Sequence, residues 1–275
     1  MSTSPTAGAR VLHPTEFFHS GVTAFFALQT DPRFSYCLYV PTAHQTATKD
    51  LPLVVVVHGT NRTAERYRTM FGEFAEEHGC IVLAPLFPAG IIEPEDLNNY
   101  KRIRFHDIRF DHVLLDMIEQ IGARYRVETE RFLLHGFSGG GQFAHRFAYL
   151  HPHRLSALSV GAPGRVTRID PDVPWWLGTA DLAEVFGTEL DLPSLRRVPV
   201  QMLVGAEDTE TWEIAEPAID AGGDTRVERL RTLRDNWEAH GIPVQLDVIP
   251  GMGHSGSRGV PHTQRFFSDV LRSER

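Results

Sequence analysis

Ser138 lies in Gly136-Phe137-Ser138-Gly139-Gly140, behind Phe132-Leu133-Leu134 and ahead of a helix-like segment, Gly141–Leu150. A serine on a sharp strand-to-helix turn needs small residues two positions away on either side, because larger side chains would collide inside the turn. Gly136 and Gly140 meet that need. The start of the helix adds free N–H groups and positive dipole beside the hydroxyl. The pattern suits a nucleophile better than a phosphate cradle, since no Lys follows the glycines. A serine hydroxyl attacks well only when a base removes its proton. Among 14 histidines, His254 stands out by its place in Pro250-Gly251-Met252-Gly253-His254-Ser255, after the apolar run Val244–Val248. An acid to orient the imidazole is offered in Val204-Gly205-Ala206-Glu207-Asp208, where Glu207 and Asp208 compete and spacing does not separate them.

These groups need a scaffold that brings distant segments together. Leu53–Val57 is continuously apolar and β-branched, as in a strand covered on both faces. Similar runs recur at Cys80–Ala84, Phe132–Leu134, Leu155–Val160, Val200–Val204 and Val244–Val248. Helix-like segments are predicted at Thr63–His78, Asp107–Arg124, Gly141–Leu150, Arg226–His240 and Gln264–Arg272. Ahead of them, Thr23–Gln29 and Ser35–Val40 read as an edge hairpin, and residues 1–15 as a loose leader. Strand alternating with helix gives an α/β fold with about eight strands, mostly parallel, covered by helices on both faces. Ligands bind at the carboxyl ends of such strands. Ser138, the acidic pair and His254 each follow a different predicted strand, so all could meet at that edge. Residues 1–275 read as a single domain, with a Pro- and Trp-bearing insertion at about 161–198 that is too long for an ordinary connection and suits a small lid or cap.

The chain has 275 residues with net charge −8, from 27 Lys and Arg against 35 Asp and Glu. That balance carries no footprint for nucleic acid or an anionic membrane surface. No apolar run approaches the length of a membrane span, and MSTSPTAGAR lacks the basic and apolar regions of an export signal, so a cytoplasmic location is expected. Cys37 and Cys80 flank apolar runs and read as buried small hydrophobes.

Taken together, HGTN at His58–Asn61, GFSGGG at Gly136–Gly141, GAED at Gly205–Asp208 and GMGHS at Gly251–Ser255 resemble the α/β-hydrolase superfamily of serine hydrolases, from about residue 20 to the last helix. In style the chain is similar to the polyhydroxybutyrate-depolymerase and feruloyl-esterase-like branch. The chain order Ser138, Asp208, His254 is the order of that superfamily's triad, and the resemblance selects Asp208 over Glu207. It also implies an oxyanion hole built from the backbone N–H groups of Thr60 and Gly139, with His58 structural. The activity implied is carboxylic-ester hydrolysis through an acyl-enzyme on a small-molecule ester, with no cofactor and no metal. The same triad serves thioesterases, amidases and carbon–carbon bond hydrolases, and the fold also hosts non-catalytic binding proteins.

Other residues carry weaker expectations. Trp175, Trp176 and Phe186 in the insertion could line a substrate pocket or form the insertion's own core. Asn98–Arg102 reads as a solvated polar loop, and Arg258 as a surface charge. His145, His151 and His153 gather near a helix end without a carboxylate at ligand spacing, which favours dipole contacts over metal binding.

Overall fold

The computed structural model describes residues 19–212, 214 and 222–273, so the leader expected at 1–15 lies outside the described residues. Eight strands form one sheet: β1 (Gly21–Ala27), β2 (Ser35–Val40), β3 (Leu53–Val57), β4 (Ile81–Leu86), β5 (Phe132–Phe137), β6 (Leu155–Gly161), β7 (Val200–Gly205) and β8 (Val244–Ile249). Their spatial order is β1-β2-β4-β3-β5-β6-β7-β8. β1 and β2 form the expected antiparallel edge hairpin, β2 also runs antiparallel to β4, and all other pairings are parallel.

β3 and β5 lie at the centre and are buried along their whole length. This is why they read as unbroken apolar runs rather than as an alternation. Their neighbours show that the sheet is covered on both sides. His135 faces Phe71 and Thr263, whereas Phe132, three residues earlier and so on the opposite face, packs on Phe147. The first side is covered by α1 (Ala64–Met70), α2 (Gly72–His78) and α8 (Gly256–Ser273); the other by α3 (Phe110–Gly122), α4 (Gly139–Leu150) and α7 (Arg226–Ala239). Among the described residues no helix is long and apolar enough to cross a membrane. Cys37 and Cys80 are both free and fully buried, and burial pushes their thiols up to about 11 and about 12.

Three expectations shift. The segment expected as one helix over Thr63–His78 is two, broken at Phe71, whose amide bonds back to Arg68 in a tight turn. Gly72 follows because a side chain there would press on the Tyr39 ring. The last helix begins at Gly256, eight residues before the predicted start, and carries Pro261 inside it. Two glycines and a proline hid that first part; Gly259, Val260 and Thr263 are nonetheless buried against the sheet. Asn98–Arg102 is not a solvated loop: Asn99–Arg102 is a turn of 3-10 helix in which Asn99, Tyr100 and Lys101 are buried.

The segment between β6 and β7 holds two short helices, α5 (Leu182–Phe186) and α6 (Leu192–Leu195). It packs on the 3-10 turn and α4. Trp175 donates from Nε1 to the Arg102 carbonyl and stacks edge-on with Phe186, and the Trp176 ring lies under the Arg102 and Arg146 guanidiniums.

Candidate active site

Four loops leave the same sheet edge, where parallel register places Val57 beside Gly136, Phe137 beside Gly161, and Gly205 beside Ile249. Ser138 follows β5 with φ 58° and ψ −115°, a left-handed conformation that a non-glycine residue holds only under constraint. The constraint is close packing. A Cβ at Gly136 would strike the Gly140 carbonyl, and one at Gly140 would strike the Val57 carbonyl. The Ser138 amide is tied to the Gly161 carbonyl at 2.8 Å.

The acid and base loops are knitted together by backbone bonds, Ala206 N to Ile249 O and Glu207 N to Met252 O, both 2.9 Å. This brings Asp208 Oδ2 within 2.6 Å of His254 Nδ1. Asp208 is fully buried and its Oδ1 accepts from Arg226 Nη1 at 3.2 Å, whereas Glu207 is exposed. With Nδ1 engaged by the carboxylate, Nε2 is the nitrogen left to handle a proton. The His254 ring packs on Phe137, with centroids 5.0 Å apart. His254 and Ser138 wall one cavity of about 260 Å³, together with Gly59, Thr60, Tyr67 and Gly256.

Thr60 and Gly139 also come together. The Thr60 nitrogen lies 3.3 Å from where a Gly139 Cβ would stand, and Gly139 is the first residue of α4, so its N–H has no partner within the helix. The loop bearing Thr60 is held firmly. Phe87 N donates to His58 Nε2 at 3.0 Å, which leaves the proton on Nδ1 to bond the Gly59 carbonyl at 2.8 Å. In a planar trans peptide the N–H points opposite to the C=O, so fixing the Gly59 carbonyl aims the Thr60 N–H away from His58. Burial keeps the His58 imidazole neutral, lowering its pKa to about 3.

Three supporting residues escaped the sequence reading. Arg62 donates to the Thr60, Phe87 and Leu97 carbonyls, the Tyr100 hydroxyl donates to the His58 carbonyl at 3.0 Å, and Arg226 holds Asp208. Arg62 directly follows the HGTN run, a signal that could have found it, whereas Tyr100 and Arg226 acquire their roles only through long-range contact. Lys101 Cε would lie 2.9 Å from a Cβ at Gly139, and burial with the nearby Arg62 charge lowers the Lys101 ammonium to about 8.

Other expected positions fall elsewhere. Trp175, Trp176 and Phe186 are not on the wall of the cavity beside Ser138; Trp175 packs edge-on against Phe186 within the insertion, and Trp176 lies against Arg102 of the 3-10 turn and Arg146 of α4. Arg258 donates to the Gly251 carbonyl and braces the histidine loop. His145 is saturated by Gly141 O and Thr167 N. His151 does meet a carboxylate, Asp111 Oδ2 at 2.8 Å, which sequence spacing hid. Arg109 already binds both oxygens of Asp111. Burial pushes that carboxyl up, but the bonds from His151 and Arg109 outweigh it and bring it to about 2.

A buried serine–histidine contact, His135 Nδ1 to Ser159 Oγ at 3.1 Å, lies between sheet and α8. Both residues are fully buried, and Ser159 Oγ donates to Gln201 at 2.8 Å, so the pair is part of the core and closed to substrate.

The strand order and the nucleophile-type turn after β5 define the class: the chain has the α/β-hydrolase fold. No family model and no curated protein matches it. Solved structures do. The chain is similar to a poly(3-hydroxybutyrate) depolymerase from Bordetella parapertussis, at 27% identity and a TM-score of 0.75, covering 93% of this chain and 92% of that one. It is similar to poly(aspartic acid) hydrolase-1 from Sphingomonas sp. KT-1, at 22% identity and a TM-score of 0.73, covering 90% and 98%. A ferulic acid esterase matches at 18% identity and a TM-score of 0.62, over 90% and 96%.

Proposed function

We propose that the protein is a serine hydrolase that cleaves carboxylic esters through an acyl-enzyme on Ser138. The observation that carries this reading is the 2.6 Å bond from His254 to buried Asp208, with His254 and Ser138 on the walls of one cavity. His254 takes the Ser138 proton as Oγ attacks the ester carbonyl. The carbonyl oxygen gains negative charge and is held by the Thr60 and Gly139 N–H groups, placed before the reaction begins and so needing no reorganisation. His254 then gives its proton to the leaving alcohol, and the acyl-enzyme remains. Water, deprotonated by His254, attacks the acyl carbon and releases the acid and free Ser138. Asp208 fixes the tautomer and stabilises the imidazolium throughout. The chemistry calls for no cofactor.

Hydrolysis of p-nitrophenyl acetate and covalent labelling by a fluorophosphonate test the assignment together. Both are expected in the wild type and lost in Ser138→Ala. Labelling that persists in that variant overturns it.

A further inference from the structure

Asp111, His112 and His151 form a cluster that ester hydrolysis does not use. Asp111 and His112 lie in the first turn of α3, and His151 caps the end of α4. The sequence puts no carboxylate at ligand spacing beside His151, but the fold does. Asp111 Oδ2 and one ring nitrogen from each histidine all lie within 4.8 Å of one another, the only such group of three among the described residues. His151 Nε2 stands 2.8 Å and His112 Nε2 3.8 Å from that oxygen. The Asp111 carboxylate is fully buried, and the half-buried His151 ring is held against Phe147, with centroids 4.8 Å apart. The His112 side chain is 57% exposed, which leaves a path in from solvent.

Two imidazoles and a carboxylate suit a divalent ion such as Zn²⁺, at about 2.0–2.2 Å from each ligand, rather than the all-oxygen shells of Ca²⁺ and Mg²⁺. His151 directs an N–H along one lone pair of Asp111 Oδ2. An ion standing there replaces that proton, which leaves to solvent. The N···O separation of 2.8 Å then opens to about 3.3 Å, the edge of a tetrahedron of that size. His112 supplies the third ligand and water completes the shell. Arg109 donates to both oxygens of the carboxylate, at 2.9 and 2.6 Å. Its charge and the start of α3 oppose a cation. The same fork fixes the carboxylate, as outer-shell partners of metal ligands do, and the C-terminal end of α4 brings negative dipole.

We propose that Asp111, His112 and His151 are the ligands of a zinc-type divalent metal site that ties the start of α3 to the end of α4. Ser138 and His151 flank the 12 residues of α4 at opposite ends, about 18 Å of helix apart. The site is therefore structural and does not depend on the esterase reading.

The test titrates chelator-treated wild type with Zn²⁺ by calorimetry and with Co²⁺ by visible absorption. One equivalent is expected, with the d–d bands of a tetrahedral Co²⁺ complex. Zn²⁺ at about ten times its Kd should raise Tm by about 3–5 °C. His112→Ala, a change at an exposed side chain, should weaken binding by at least about tenfold and abolish the Co²⁺ bands. His106→Ala serves as the control, because His106 makes a separate exposed contact to Glu93 at 2.7 Å; it should bind as the wild type does. Absence of Zn²⁺ binding by the wild type, equal affinity in His112→Ala, or loss of binding in His106→Ala instead overturns the proposal.

Discussion

Arg226 and His254 divide the carboxylate of Asp208 between them, Arg226 on Oδ1 at 3.2 Å and His254 on Oδ2 at 2.6 Å. The carboxylate is fully buried, so its angle toward the imidazole depends on both donors. Replacing Arg226 by Met leaves a buried charge with one partner, which costs about 3–5 kcal/mol when a buried pair is broken. The expected result is a lower urea midpoint together with a fall in kcat of about tenfold, as the imidazole loses its fixed orientation. A variant of normal activity would show that His254 alone suffices to hold the acid.

The two acids competing in sequence are expected to separate by their effect on turnover. Asp208→Asn should lower kcat by about 10³–10⁴, because an amide stabilises the wrong tautomer of His254. Glu207→Gln should leave kcat within about twofold, as expected of an exposed surface substitution. The measurement is steady-state hydrolysis of one ester by both variants.

The strained backbone at Ser138 makes a prediction about stability. Glycine accepts φ 58° without penalty, so Ser138→Gly should raise stability by about 1 kcal/mol while abolishing turnover. Ser138→Ala removes the hydroxyl but keeps the strain, and should be inactive without that gain. Parallel urea titrations of the two variants separate nucleophile loss from strain relief.

Gly139→Ala tests the oxyanion site. The added Cβ would strike the Tyr100 hydroxyl and crowd the Thr60 nitrogen. Displacing even one donor costs about 10²–10³ in kcat. The loss should appear in kcat more than in KM, and the added Tyr100→Phe substitution should restore part of it by making room.

Acid should unfold the protein through histidines buried in their neutral form. Burial lowers His58 to about 3 and His135 to about 4 from an ordinary 6.5, and sends His145 well below it. Between about pH 6.5 and 4 the unfolded chain therefore binds more protons than the folded one, and stability falls as pH falls. Each histidine contributes a slope of up to about 1.4 kcal/mol per pH unit in that window. Asp111 adds to the loss only below its ordinary 3.8, down to about 2. Urea midpoints at pH 7, 6 and 5 should decline, and His135→Gln should flatten the decline by one proton's worth.

The parts of this fold that could be read in the sequence are those where one residue type answers one physical demand. The run Leu53–Val57 could only be a strand covered twice, and Gly136 and Gly140 were needed because a serine between them had to turn sharply. The carboxyl edge of the sheet then gathered Ser138, Asp208 and His254 from loops far apart in sequence. What stayed hidden was set by long-range contact. Tyr100 and Lys101 looked like a wet loop because nothing local shows that His58 and α4 close over them. Trp175 and Trp176 gave no sign of direction, and arginines on α4 and the 3-10 turn drew Trp176 away from the cavity. The start of α8 was missed because tertiary packing there overrides the weak helix propensity of glycine and proline.

Cys37 and Cys80 have a practical consequence. Both sulfurs are sealed in the interior, with thiols held protonated near neutral pH, so neither presents a thiolate to a maleimide or an oxidant. A single cysteine introduced on the exposed surface would be the one fast-reacting thiol among the described residues. Fluorophores, spin labels or a solid support could then be attached at a chosen point without first removing native sulfur.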